Sequence, residues 1–166
     1  MNDHTRIRRA IGLATAVVAT VALALAGTAA AAGGDHTQAI TENFHGTQTG
    51  TDVNPCTGNA VAISETTNMV FHLTYFPGSD EEWSTFTEED KVTAVDQGTG
   101  VVYTGHATFW GNQNINRQNA NWTATSNLRV TGSDGSSITS HDVAHVTMLP
   151  DGSVSVSFDK PRLTCG

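Results

Sequence analysis

Basic residues are scarce in this chain, with eight Lys and Arg against sixteen Asp and Glu. A surface this acidic repels phosphate backbones and anionic headgroups, so nucleic acid is excluded as a partner class. Helical periodicity is almost absent, which argues against any helix-built fold. Catalytic and cofactor signatures are missing too. There is no G-x-S-x-G nucleophile turn, no G-x-G-x-x-G and no Walker phosphate loop. No cofactor is expected on these grounds. Cysteine is the rarest informative residue, with Cys56 and Cys165 alone. Two free thiols or a metal pair would be alternatives to a disulfide, but no C-x-x-C spacing favours them.

The N-terminus sets the compartment. Arg6, Arg8 and Arg9 precede an apolar run from Ile11 to Ala26, and small residues follow from Thr28 to Ala32. This is the three-part pattern of a secretory signal peptide, residues 1–32, cleaved after Ala30 or Ala32. The run is short and Ala-rich, and no basic stop follows it, so the mature chain is not expected to span a membrane. No Cys lies near the cleavage site to carry a lipid. Residues 33–166 then form one secreted domain, with five basic residues against fifteen acidic ones. In an exported protein, Cys56 and Cys165 read as a disulfide.

What remains alternates with period two. Val154, Val156 and Phe158 alternate with serines, and Met69, Phe71, Leu73 and Tyr75 alternate with His72 and Thr74. Similar patterns run through Val101–Trp110 and Asn121–Thr131, with weaker ones at 39–49, 60–64, 83–95 (bent or broken) and 137–149. Turn signals separate them at Pro77-Gly78, Gln97-Gly98, Asp134-Gly135 and Asp151-Gly152. The pattern predicts an all-β fold of about eight antiparallel strands. With no helix to cover a sheet face, a single barrel is favoured and a sandwich is the alternative. The cysteines complicate an eight-strand closure. The ends of strands one and eight would lie at opposite rims, so a Cys56–Cys165 bridge requires an odd strand count, a fold-back or a sandwich.

The candidate site residues follow from strand parity. Phe71, Tyr75, Tyr103, Phe109, Trp122 and Phe158 share the apolar side, where they line either a core or a pocket for a small apolar ligand. His45, His72, His106, His141 and His145 share the Thr-rich side. A solvent face is where such residues belong, but a lumenal histidine such as His72 or His106 would serve a cyclase- or isomerase-type enzyme as proton carrier. His141 and His145 on a strand are about 13 Å apart, too far to share one ion, so no metal site is expected. Glu42, Glu65 and Asp142 offer carboxylate pairs that an acid-rich chain supplies by chance. The acidic runs at 80–82 and 88–90 read as a solvated face.

The stretch Trp110-Gly-Asn-Gln-Asn-Ile-Asn-Arg-Gln-Asn-Ala-Asn-Trp122 reads first as a polar turn. Trp110, on the polar side, is the better candidate for an indole platform against carbohydrate. Three functions therefore stand: a non-enzymatic binder of a small apolar ligand, a cyclase or isomerase, and a carbohydrate- or envelope-binding protein.

Phe44-His-Gly-Thr-Gln-Thr-Gly-Thr-Asp-Val-Asn-Pro-Cys-Thr-Gly58 is joined by Gly132-Ser-Asp-Gly-Ser136, His141-Asp-Val-Ala-His-Val146, Val156-Ser-Phe-Asp-Lys160 and a late Cys165. On these segments the chain resembles a group of small exported actinobacterial proteins. The resemblance implies export, a two-cysteine β domain and nothing catalytic. In architecture alone, the expected barrel is similar to lipocalin-like and allene-oxide-cyclase-like barrels.

Overall fold

A computed structural model describes residues 37–79 and 81–166, and the expected signal segment lies outside them. Eight strands are present among the described residues: β1 (Gln38–Val53), β2 (Ala60–Phe76), β3 (Glu81–Asp96), β4 (Val102–Ile115), β5 (Ala120–Gly132), β6 (Ser137–Met148), β7 (Val154–Asp159) and β8 (Arg162–Cys165). Each of the first six pairs antiparallel with its successor, and β8 also pairs with β6. The all-β expectation is met by one continuous antiparallel sheet.

Asp159 lies opposite Ala144 and Arg162 opposite His141, so β7 and β8 keep a single register along β6. They are one strand interrupted at Lys160 and Pro161, and the meander has effectively seven strands. That odd count places the loop after β1 and the end of β8 at the same rim. Cys56 and Cys165 are bonded there, with Cα atoms 5.9 Å apart. Lys160 N–H donates to Val143 O, and Ser137 and Gly166 exchange hydrogen bonds in both directions. By the alternation of an antiparallel ladder, the nitrogen of Pro161 then points away from β6 toward the open edge. The proline removes no ladder bond and blunts an edge that could template aggregation.

The expected barrel closure is not seen. Among the described residues no ladder joins β1 to β7 or β8, and the sheet stays open along those edges. It curls nonetheless, because residues from β1 and from β8 line one cavity on its concave face. Glycines permit the curl. A Cβ on Gly105 would run into the backbone of Arg129, and one on Gly111 would lie 2.6 Å from both the Phe86 ring and Thr123 O. Strand β4 can approach β5 on the inner side only where it carries no side chain.

The apolar residues pack in two groups along this face. Val92, Tyr103, Ala107, Val130 and Ile138 form one, near the disulfide rim. Phe71, Leu73 and Phe86 form the other, with Ile40 and Ala124 against them. Half-buried Phe109 touches both.

Three strand expectations need correction. Segments 60–64 and 69–76 are one strand, because Glu65 and Thr67 continue the inward alternation as polar residues. Strand β3 runs unbroken for the same reason, with Glu88 and Asp90 pointing inward. Phe158 pairs with outward-facing His145 and stacks on it at 5.5 Å, so it belongs to the outer face.

Candidate functional site

The cavity on the concave face has a volume of about 180 Å³. Every strand except β7 contributes to its lining: Val53 from β1, Val61 and Ile63 from β2, Val92 and Ala94 from β3, Tyr103 and Ala107 from β4, Leu128 and Val130 from β5, Ile138 from β6 and Leu163 from β8. Period-two alternation brings these side chains to one surface. The result is an apolar hollow held by hydrogen-bonded walls.

The rim of the cavity is fixed by a buried polar knot. Asp96 is 0% exposed and Asn54 1%. Asp96 Oδ1 accepts from Asn59 Nδ2 at 2.8 Å and from the backbone N–H groups of Gly98 and Thr99 at 2.9 Å. Its Oδ2 accepts from Thr57 Oγ1 at 2.7 Å and Asn54 Nδ2 at 2.9 Å. Burial alone would raise this carboxyl. The donated hydrogen bonds, that of Thr57 first, more than offset it and hold Asp96 well below the usual carboxylate range. Asn54 Oδ1 in turn accepts from the N–H groups of Cys56 and Thr57. The loop that carries the disulfide is thereby locked to the β3–β4 turn.

Acidic groups also sit on the inner face, contrary to the solvated face expected for the run at 88–90. Glu88 is 5% exposed and Asp90 3%, while Glu89 between them points out. Burial pushes Glu88 up to about 7, and the charge of Asp90 adds to the shift. Glu65, which lines the cavity, is raised by burial and then by Asp90, with the Gln48 Nε2 hydrogen bond at 3.2 Å opposing. Asp142 lines the other side of the cavity and is pushed up to about 6, first by burial and then by neighbouring Asp159. Of the three carboxylates named in the sequence, Glu65 and Asp142 thus share the cavity, and Glu42 is exposed on β1. The signal that could have placed them is their parity, which matches the apolar residues of their strands.

The sequence-selected residues divide between the two faces. Tyr103 and Phe109 line the cavity. Phe71 is buried in the second apolar group beyond it. Tyr75 and Trp122 lie half-buried on the inner rows and do not reach the cavity. Trp110 is 46% exposed on the outer face. His72 and His106 are exposed on that face as well, His72 with Nδ1 2.9 Å from Thr41 Oγ1. Neither touches the cavity, so the lumenal proton carrier of the enzyme reading is not found at these positions. His45 and His141 bond Asn68 and Asn127 on the outer side, and His145 bonds Thr123.

The Asn-rich stretch is mostly strand. Its turn is confined to residues 116–119, where Asn116 Oδ1 accepts from the N–H groups of Gln118 and Asn119. Among the described residues no three His, Cys, Asp or Glu side chains converge as metal ligands, and no helix is long and apolar enough to cross a membrane. Comparison of the chain with protein-family models, curated proteins and solved structures finds no match.

Proposed function

We propose that the protein is an exported, non-enzymatic binder of a small, largely apolar ligand. The observation that carries this reading is the 180 Å³ apolar cavity that seven strands line beside the disulfide rim. A hollow of this order holds a ring-sized molecule, since an engineered apolar cavity of about 150 Å³ takes up benzene. Its walls are long paired strands, so the site is preformed and needs little ordering on binding. The disulfide supports the exported part of the reading, because such bonds persist in oxidising compartments.

Native and denaturing mass spectra of the protein recovered from culture medium test both parts. The denaturing mass should correspond to cleavage after Ala30 or Ala32 with the disulfide formed. The native spectrum should carry an additional small mass that denaturation removes. A native mass equal to the bare chain, unchanged after incubation with small apolar compounds, would overturn the binding role.

A further inference from the structure

The cavity is apolar, yet one group in its wall is unaccounted for by packing. Asp142 is 6% exposed, it lines the cavity, and its Oδ1 has no hydrogen-bond partner among the described residues. Buried carboxylates in native proteins are paired, hydrogen-bonded or bound to an ion or ligand, because an unpaired buried charge is strongly unfavourable. Asp159 beside it shares a side-chain hydrogen bond with this carboxyl but, being another acid, supplies no countercharge. Asp52 and Glu65 bring the carboxylates lining the cavity to three, against one cation, Arg162. Arg162 sits exposed at the edge, opposite outward-facing His141, and leaves Asp142 Oδ1 unpaired.

We infer that the ligand is an apolar molecule bearing a cationic nitrogen, whose N–H groups donate to Asp142 Oδ1 while its hydrocarbon part packs on Val92, Ala107, Leu128 and Val130. This rests on the apolar-cavity reading above and adds the chemical class of the ligand. A metal ion is the wrong occupant, since the carboxylates do not converge in threes. A neutral alcohol would donate one hydrogen bond and leave the charge in place. An anion would meet like charge. A protonated amine satisfies the orphan acceptor and neutralises it in one contact. The acidic mature chain also draws cations toward the cavity before contact.

Three probes of one shape separate the terms: cyclohexylmethylamine, cyclohexylmethanol and cyclohexanecarboxylate, titrated calorimetrically at pH 8 and low salt. The amine should bind at least about tenfold more tightly than the alcohol, the margin of one charge-assisted over one neutral hydrogen bond. The carboxylate should not bind measurably. Asp142→Asn should bring the amine down to the level of the alcohol and leave the alcohol unchanged. Should that variant not fold, the carboxyl carbon resonance of Asp142 in the unaltered protein should move on adding amine and stay put on adding alcohol. An alcohol as tight as the amine, or an Asp142 signal indifferent to the amine, overturns the cationic ligand and leaves the apolar cavity standing. Binding of none of the three overturns both.

Discussion

Asn54 Nδ2 donates a 2.9 Å hydrogen bond to Asp96 Oδ2, where the loop carrying Cys56 crosses the turn between β3 and β4. The two residues are 42 apart in sequence and nearly fully buried, and each also accepts backbone N–H groups of its own segment. Replacing Asn54 by Ala would strip one donor from a buried carboxylate and orphan the N–H groups of Cys56 and Thr57. We expect Asn54→Ala to destabilise the protein by about 2 kcal/mol or more in urea unfolding. Ser→Ala at exposed position 79 should change little.

The same carboxylate sets the acid limb of stability. Asp96 is held below its ordinary range in the folded protein, so its contribution is complete above the unfolded value of about 4 and is lost as pH falls through the lower folded value. Asp96→Asn should therefore remove stability at pH 6 and flatten the decline below pH 4. An acid limb as steep in Asp96→Asn as in the unaltered protein would assign it to other carboxylates.

Glu88 works in the opposite sense. Its folded value is raised to about 7, so folding favours the protonated form. The contribution is full below the unfolded value of 4.5 and is lost as pH rises through about 7. Asp142, raised to about 6, adds the same sign. Stability should peak on the acid side of neutrality and fall between pH 5 and pH 8. Glu88→Gln should recover on the order of 2 kcal/mol of that loss, measured as the difference between urea midpoints at the two pH values. Equal slopes in the two proteins would show that Glu88 titrates normally.

These buried acids mark where sequence reasoning stops. Strand existence was legible wherever Val, Phe, Leu and Thr alternate; the face was legible in Met69–Tyr75 and Val101–Phe109 but not at Phe158, which turns outward against His145. Glu65 and Thr67 hid the unity of β2, because a polar inward residue resembles a loop when hydrophobicity is the signal. Glu88-Glu89-Asp90 resembled a solvated run, yet parity alone turns two of the three inward. The cysteines carried a constraint: the bridge required an odd strand count, a fold-back or a sandwich, and the single register of β7 and β8 along β6 gives the first of these. Closure was not legible. Whether β1 meets the last strand depends on accumulated twist and on glycine approaches such as Gly105 against Arg129, and alternation records neither.

The disulfide closes a sequence separation of 109 residues and ties together the two sheet edges that no ladder joins. In the chain-entropy account, removing it relaxes the unfolded state by about 4–5 kcal/mol. Paired Cys56→Ser and Cys165→Ser substitutions should lower stability by this order in urea. Amide exchange should rise in residues 162–165 before it rises in β3 or β4, since β8 has only the short ladder to β6 besides the bridge. Uniform loosening of the whole sheet would instead make the bridge a global clamp.

Cavity and outer face can be told apart by two substitutions three residues apart on β4. Ala107 is buried and lines the cavity, whereas Trp110 is exposed and points the other way. Ala107→Phe places a ring into the empty volume, so the usual overpacking penalty of about 1–3 kcal/mol should be reduced. Binding of cyclohexylmethylamine should fall by at least about tenfold, because probe and ring compete for one hollow. Trp110→Ala leaves the cavity untouched and should not change that affinity. If the outer face instead serves carbohydrate, Trp110→Ala should abolish retention on immobilised glycan while Ala107→Phe is retained as before. The pair thus reads out which side of a single strand carries the function, and an Ala107→Phe protein that binds the amine at full strength would remove the cavity from consideration.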